Sequence, residues 1–445
     1  MSLIKLRNVI TLLTTIVMLL AIISLAVSTP KKHVSAKGKD NDEKGTAVQV
    51  LDKGKWAPNT YNSVQQLINN YGENGPKYNS NNAPYAVFDW DDTSIINDVT
   101  DKFFIYQIDQ LAYKLTPSEF AKVIKLTVPN GPFSGEVKNN NGEQITLEKI
   151  TRDLNRDYKY LYNHYSGLKG NQPLEKIHQT NEFKDFKIKL YFLYQAINET
   201  YGAEVAYPWE IFFVANMTKS EVSKLAIKSH RHSLQVGITD VNLTSPVSMK
   251  GDTGVVSVSY TDGMRLAPEI SNLMHTFKSN KIDVYVVSAG FEPVVEAIAS
   301  SPEFGYNIPK NHVFGLRLEK NDHKQFEPLY KNGYPFTYRE GKPDLIRSKI
   351  AIKKGGKDPI FIAGDSNSDY GNFTELNGIK LGLIVNHLSS GDFGKVSKKA
   401  VEQMGKANPK FVLQGVNENT GLWIPSESTI ELGTNKDVLL NQELK

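Results

Sequence analysis

The chain has 445 residues, of which 40% are hydrophobic and 22% are charged, so it is long enough for more than one domain and a large core. Its formal net charge of +4 is small, and it has no run of Lys and Arg interleaved with aromatic residues, which argues against a nucleic-acid partner. Cysteine is absent, which excludes disulfides, thiolate catalysis and a Cys-ligated metal.

The N-terminal segment has the pattern of an export signal. Lys5 and Arg7 precede an uncharged, mostly apolar stretch, and the small residues Ala26 and Ser28 suit a cleavage site. The stretch is also long enough to span a bilayer, so residues 1–28 are predicted to be a signal peptide or a membrane anchor. A flexible linker is predicted at 29–55. We therefore expect an exported protein, either secreted or anchored on the outer face of the cytoplasmic membrane, with no other membrane contact.

A short helix is predicted between residues 56 and 82, and a buried strand follows it at 85–88. This apolar strand ends abruptly in Asp89 and Asp91, which fits a central parallel strand, since ligands of α/β sheets gather at the carboxyl ends of such strands. Asp89 can attack phosphorus while Asp91 handles the proton of the leaving oxygen. The same pattern also fits an acidic loop in which Thr93 or Asp92 caps the next helix.

The stretch 98–244 is predicted to be mainly helical. Apolar residues recur at helical spacing between Phe103 and Tyr113, and capping-box patterns open further helices at Thr116 and Thr218. The stretch is also dense in Tyr, Phe and Trp. An insertion of this size directly after the first motif strand is expected to lie over the strand ends as a cap.

Further polar residues follow at a strand end or a loop-to-helix junction. An apolar strand ends in Ser288 and Gly290, where a hydroxyl can donate to a phosphoryl oxygen and a glycine allows close approach of the backbone. Lys342 lies at a loop-to-helix junction, where its charge can neutralise phosphate. Asp365 and Asp369 follow another apolar strand. Acids next to a phosphate require a cation, and their hard oxygen ligands favour Mg²⁺.

Asp89, Ser288, Lys342 and Asp365 stand in the order of motifs I to IV of the haloacid dehalogenase (HAD) superfamily of phosphohydrolases, which the chain resembles. The resemblance implies an α/β fold, with a HAD-like doubly wound parallel-sheet core and a mainly α-helical cap domain inserted after the first motif strand. The implied ranges are 56–97 and 245–445 for the catalytic core, 98–244 for the cap and 386–445 for a C-terminal extension of the core.

The resemblance also implies a Mg²⁺-dependent phosphomonoesterase. Asp89 would form an aspartyl-phosphate, and Asp91 would act first as acid and then as base. Ser288 and Lys342 would hold the phosphoryl oxygens. The implied metal ligands are Asp89, the main-chain carbonyl of Asp91 and Asp365, with Asp369 orienting Lys342 or a metal-bound water.

A closer resemblance is to secreted phosphorylcholine phosphatases, which implies phosphocholine or a similar small phosphate ester as substrate. It rests on the segments 286–292, 304–309, 313–316, 263–265 and 341–344 and covers roughly 84–96 and 255–385. Since aromatic faces bind quaternary ammonium groups, Trp90 beside the nucleophile is expected to meet the substrate. Trp90 and Asp92 depart from the pattern of many relatives. The expected substrate-binding residues are Trp90, Thr93, Ser288, Gly290 and Lys342.

Two alternatives to a choline-specific phosphatase stay open. The same fold could serve a broad-specificity acid phosphatase or phosphotransferase without choline preference. It could also serve a surface-displayed binding protein that has lost activity, which the intact Asp89, Asp91 and Asp365 argue against.

The C-terminal extension carries no predicted chemistry. It is expected to add one strand near 410–416 and a tail that packs on the core. His387 is expected to be a surface histidine. No sequence pattern specifies an oligomeric state.

Overall fold

The computed structural model describes residues 50–444. The predicted export segment and most of the predicted linker lie outside the described residues, so both stay predictions. Within 50–444, no helix combines the length and the hydropathy that a membrane crossing requires.

The fold is built on a nine-stranded sheet. Its strands are β1 (Tyr85–Phe88), β6 (Asp283–Phe291), β7 (Val313–Leu316), β10 (Phe361–Gly364), β11 (Leu381–Asn386), β12 (Phe411–Asn417), β13 (Leu422–Trp423), β14 (Thr429–Ile430) and β15 (Asp437–Val438). The order across the sheet is β15-β14-β12-β11-β10-β1-β6-β7, with β13 paired to β12. From β12 to β7 every neighbouring pair is parallel.

Three short two-stranded sheets lie outside this sheet. They pair β2 (Ile95–Ile96) with β5 (Arg265–Leu266), β3 (Thr239–Thr244) with β4 (Ser257–Asp262), and β8 (Leu318–Lys320) with β9 (Phe326–Tyr330).

The first motif strand, β1, shows why the sheet is buried on both faces. All four of its residues are buried, and successive side chains of a strand point to opposite faces. Ala86 and Phe88 accordingly join one hydrophobic cluster, while Tyr85 and Val87 join the other. Apolar residues on both faces are what a central parallel strand requires, because helices cover each side.

Helices flank the sheet and fill the insertion between β1 and β6. The insertion contains α2 (Val99–Gln110), α3 (Pro117–Val123), α4 (Leu147–His164), α5 (Leu174–His178), α6 (Asn181–Tyr201), α7 (Ala203–Ile211), α8 (Lys219–Gln235) and α9 (Pro268–Ser279). The remaining helices are α1 (Pro58–Tyr71), α10 (Glu292–Ala299), α11 (Gly341–Leu345), α12 (Tyr370–Glu375) and α13 (Gly391–Val401).

The predicted α/β core with a parallel sheet is confirmed, and so are several predicted helices, strands and capping boxes. α1 is the predicted helix before the first motif strand, and β12 is the predicted C-terminal strand. Capping boxes form at Thr116 and Thr218, where each threonine pairs with the glutamate three residues on. The division into core and cap stays a prediction, because β3 and β4 pair across its proposed boundary at 244.

Candidate active site

The carboxyl ends of three adjacent strands bring the first, second and fourth motifs together. β1 lies between β10 and β6 and is parallel to both, so Asp89, Ser288 and Asp365 reach the same edge of the sheet. The main-chain N–H of Asp89 donates a hydrogen bond of 3.0 Å to the carbonyl oxygen of Ala363. This bond extends the pairing of β1 with β10 by one residue and holds Asp89 at the edge of the sheet.

Lys342 connects the third motif to this edge. It is the second residue of the short helix α11, and its buried Nζ lies 2.8 Å from Asp89 Oδ1 and 2.7 Å from Asp369 Oδ1. Burial alone would lower the pKa of Lys342, but the carboxylates of Asp369 and Asp89 outweigh it and raise that pKa. Lys342 therefore carries a permanent positive charge against the first acid.

Three carboxylates form a candidate cation site. Asp89, Asp365 and Asp369 each offer an oxygen within 4.8 Å of the others. Burial and the charges of Asp89 and Asp369 raise the pKa of Asp365 well above its usual range. The cluster needs a nearby cation to hold its full negative charge, and its oxygen donors fit Mg²⁺.

Asp369 fits a positioning role better than that of a ligand. Its Oδ1 accepts from Lys342 at 2.7 Å, and its Oδ2 accepts from the main-chain N–H of Asp365 at 3.1 Å. Both oxygens are thus engaged in holding Lys342 and the fourth motif.

Asp91 is placed to hold a proton beside the second motif. Its Oδ1 accepts a hydrogen bond of 2.8 Å from the N–H of Val99, and its Oδ2 lies 3.5 Å from the Ser288 hydroxyl. Burial, followed by the charges of Asp98 and Asp89, raises the pKa of Asp91 well above its usual range. A carboxyl group that stays protonated near neutral pH can act as a general acid.

Gly290 lies close to this acid. A Cβ atom at Gly290 would lie 2.7 Å from the Thr100 hydroxyl and 3.1 Å from both Asp91 Oδ2 and Ser288 Oγ. Any side chain there would displace the groups around Asp91.

The acids line a cavity of about 290 Å³, whose walls come from the sheet edge and from the helical insertion. Asp89, Asp91 and Asp365 line it at the sheet edge, and Tyr207 and Glu210 line it from α7. The volume suits a small phosphate ester.

Of the five expected substrate-binding residues, Gly290 lines the cavity, and Ser288 and Lys342 are buried directly behind the acids. The other two lie elsewhere. Trp90 is fully buried, does not line the cavity and packs edge-on against Tyr306 at 4.9 Å between ring centroids. In extended backbone, successive side chains point to opposite sides. Because Asp89 and Asp91 face the cavity, Trp90 between them points away from it. This corrects the expectation that its ring meets the substrate. Thr93 is also buried, and its hydroxyl donates a hydrogen bond of 2.9 Å to Asp365 Oδ1 instead.

The structure adds residues that the sequence reasoning missed. Tyr207 and Glu210 share one face of α7 because they are three residues apart, a spacing visible in the sequence. Tyr338 reaches the same cavity from the loop before Lys342, and its ring meets that of Tyr207 edge-on at 5.8 Å. These side chains, rather than Trp90, supply the aromatic surface of the cavity.

His387 is not the surface residue that was expected. Its side chain is 15% exposed, and Nδ1 lies 3.1 Å from Glu418 Oε1. Burial alone would lower the pKa of His387, but the hydrogen bond with Glu418 and the charges of Asp92 and Asp365 raise it to about 9. The C-terminal extension thus places a positive charge near the acidic site.

Comparison with known proteins finds similarity to two phosphatases. No protein-family model matches the chain. The chain is 28% identical to the phosphorylcholine phosphatase of Pseudomonas aeruginosa, over 28% of this chain and 46% of that protein. It is 26% identical to a polyol phosphate phosphatase of Saccharomyces cerevisiae, over 24% of this chain and 46% of that protein.

A solved structure is similar over most of the fold. The crystal structure of a conserved protein of unknown function from Anaerococcus prevotii matches with a TM-score of 0.80 and 28% identity, over 87% of this chain and 99% of that one.

The fold is an α/β fold with a mainly parallel sheet, and the similarity to phosphatases agrees with the predicted resemblance to the HAD superfamily. The curated similarities are to phosphoric monoester hydrolases. The chain spans about half the length of these two curated relatives, 46% in each case.

Proposed function

We propose that this protein is a Mg²⁺-dependent phosphomonoesterase that acts through an aspartyl-phosphate on phosphocholine or a similar small phosphate ester outside the cytoplasm. The observation that carries the proposal is the contact of Lys342 with Asp89, next to an Asp91 whose pKa is raised. The raised pKa favours Asp91 as the proton donor and leaves Asp89 as the nucleophile, a division of roles that suits phosphoryl transfer.

In the first step, a carboxylate oxygen of Asp89 attacks phosphorus in line with the leaving oxygen. The bond from phosphorus to the alcohol oxygen breaks as the new bond to Asp89 forms, and Asp91 gives its proton to the departing alcohol. Ser288 and Lys342 hold the phosphoryl oxygens during the transfer.

In the second step, a water molecule attacks the phosphorus of the aspartyl-phosphate. Asp91, now a carboxylate, takes the proton of this water, and phosphate leaves with the Asp89 carboxylate restored. Mg²⁺ bound by Asp89, Asp365 and the main-chain carbonyl of Asp91 would neutralise charge on the phosphoryl group.

The choline preference is supported by aromatic rings in the cavity and by the activity of one relative. Tyr207 and Tyr338 both line the cavity, and aromatic faces attract quaternary ammonium groups. The relative from Pseudomonas aeruginosa is a phosphorylcholine phosphatase. The proposed site of action outside the cytoplasm depends on the N-terminal segment acting as a signal peptide or anchor.

A second candidate is a broad-specificity phosphatase or phosphotransferase without choline preference. The observation that favours it is the similarity to a polyol phosphate phosphatase, whose substrates carry no ammonium group. The two candidates share Asp89 chemistry and differ in the substrate.

The test is phosphate release by a form that starts near Ala36, with Mg²⁺ and then with EDTA. Phosphocholine, phosphoethanolamine, glycerol phosphate and p-nitrophenyl phosphate are compared. We expect hydrolysis that EDTA abolishes and that is fastest for phosphocholine. Hydrolysis of p-nitrophenyl phosphate with equal rates for phosphocholine and glycerol phosphate would favour the second candidate, and transfer to an added alcohol would identify a phosphotransferase. No phosphate release from any ester would overturn both.

A further inference from the structure

Glu210 is a buried acid that the phosphoryl-transfer chemistry does not use. Its side chain lines the catalytic cavity from α7, the residue is 4% exposed, and Oε1 has no hydrogen-bond partner among the described residues. An unsatisfied buried carboxylate oxygen is costly, so native structures rarely keep one without a purpose. A ligand group in the cavity that attracts this oxygen electrostatically would offset the cost.

The charges around Glu210 indicate what kind of ligand that is. Burial, followed by the charges of Asp101, Asp98 and Asp91, raises the pKa of Glu210 well above its usual range, and a cation bound beside it would favour the carboxylate. Asp98 also lines the cavity. None of the described residues that line the cavity is Lys, Arg or His. The ammonium group of Lys342 is engaged at the sheet edge by Asp89 and Asp369.

The direction of the substrate follows from the proposed chemistry. The phosphoryl group must lie at Asp89, and the leaving alcohol must lie on the side of Asp91, which protonates it. Glu210 and Asp98 interact with Asp91, so the leaving group enters an acidic part of the cavity. A leaving group with a positive charge would balance these acids, whereas an anionic one would be repelled.

Two tyrosines complete the recognition chemistry. Tyr207 is three residues before Glu210 on α7, so both side chains share a helix face. Tyr338 meets the Tyr207 ring at 5.8 Å. Aromatic rings next to a carboxylate form a surface that attracts an ammonium group whether or not it can donate hydrogen bonds.

We propose that Glu210 is a specificity-determining residue, which selects phosphate esters whose leaving alcohol carries an ammonium group. The inference rests on the proposed phosphatase function and names the side chain that sets its preference. Tyr207 and Tyr338 enclose the ammonium group, and the Glu210 carboxylate balances its charge.

The test compares wild type with Glu210→Gln, which keeps the shape of the side chain and removes its charge. The matched control is Glu204→Gln, an exposed glutamate on the same helix. kcat and KM are measured for phosphocholine, phosphoethanolamine, glycerol phosphate and p-nitrophenyl phosphate. We expect Glu210→Gln to raise KM for the two ammonium esters about tenfold or more relative to its effect on the KM of the two other substrates. The control should behave as wild type.

The outcomes separate this inference from the proposed function. If wild type hydrolyses p-nitrophenyl phosphate and Glu210→Gln changes all four substrates equally, the phosphatase stands and the role of Glu210 is wrong. If wild type hydrolyses none of the esters, the proposed function itself fails.

A measurement on wild type alone covers the case in which Glu210→Gln does not fold. Choline and its uncharged carbon analogue 3,3-dimethylbutan-1-ol are compared as inhibitors of p-nitrophenyl phosphate hydrolysis. We expect choline to inhibit at a concentration at least about tenfold lower than 3,3-dimethylbutan-1-ol requires. Equal inhibition by the two alcohols would overturn recognition by charge.

Discussion

The Thr93 hydroxyl donates a hydrogen bond of 2.9 Å to Asp365 Oδ1, and this bond joins the loop of the first motif to the acid of the fourth. Both residues are buried, so no solvent competes for the bond. Groups that orient a metal-binding carboxylate change metal affinity when they are removed.

We therefore predict that Thr93→Val raises the Mg²⁺ concentration for half-maximal activity about tenfold, with a smaller effect on the rate at saturating Mg²⁺. The measurement is phosphate release against Mg²⁺ concentration. Thr374→Val, an exposed change on α12, serves as the control. An unchanged Mg²⁺ requirement in Thr93→Val would show that the bond does not support the cation site.

Lys342→Met should reduce phosphate release by a factor of about 100 or more, because it removes the positive charge that holds the phosphoryl oxygens. Methionine has a similar length, so the buried volume is nearly kept. The control is Lys349→Met at an exposed position nearby, which should leave the rate unchanged. Thermal unfolding of both variants reports whether a loss of rate comes from loss of the fold. A folded Lys342→Met with the wild-type rate would exclude the assigned role.

A buried charge cluster in the helical insertion predicts a large effect on stability. Lys189 is fully buried, and its Nζ donates to Asp153 at 2.9 Å and Asp185 at 2.8 Å. Without Lys189, Arg156 is the remaining cationic partner of both carboxylates. Because Arg156 is 44% exposed and Lys189 is fully buried, Lys189→Met should lower the free energy of unfolding by about 3 kcal/mol. Lys187 pairs with Asp109 at 2.6 Å but is 23% exposed.

Lys187→Met is therefore the matched control, with an expected cost below about 1 kcal/mol. Urea unfolding of the two variants measures the difference. Equal costs for the buried and the exposed lysine would mean that Lys189 is not needed to compensate the acids.

His387 predicts a specific dependence of stability on pH. Its pKa of about 9 in the fold is above that of an exposed histidine, so the charged form is stabilised by folding. The contribution is fully present below the unfolded pKa of about 6.5 and is lost as pH rises through about 9. The difference between these two pKa values corresponds to about 3 kcal/mol.

In urea unfolding with EDTA, wild type should therefore lose more stability between about pH 7 and pH 10 than His387→Gln does. His323→Gln, at an exposed histidine, should follow wild type. Parallel curves for wild type and His387→Gln would contradict the assigned contact with Glu418.

The parts of the fold that the sequence predicted are those with strong local patterns. Apolar runs that end in polar residues marked β1, β6 and β10, and the parallel order of these strands brings Asp89, Ser288 and Asp365 to one edge. The capping boxes at Thr116 and Thr218 depend on neighbours in sequence, so they could also be predicted.

Residues that depend on distant contacts were not predicted. Glu210 lines the cavity of the acids only because α7 lies beside the strand ends, and His387 pairs with Glu418, which is 31 residues further along the chain. Trp90 is a different case, since the alternation of side chains around Asp89 and Asp91 already indicated that its ring points away from the cavity.

The role of Asp89 as the nucleophile is tested by measuring transfer of the phosphoryl group to the protein. Wild type, Asp89→Asn and Asp91→Asn are mixed with radiolabelled p-nitrophenyl phosphate and Mg²⁺, quenched with acid, and assayed for label on the protein. We expect transient label on wild type and persistent label on Asp91→Asn, because Asp91 is needed as the base of the second step. We expect neither label nor phosphate release for Asp89→Asn. Phosphate release or protein-bound label with Asp89→Asn would contradict the assignment of Asp89 as the nucleophile.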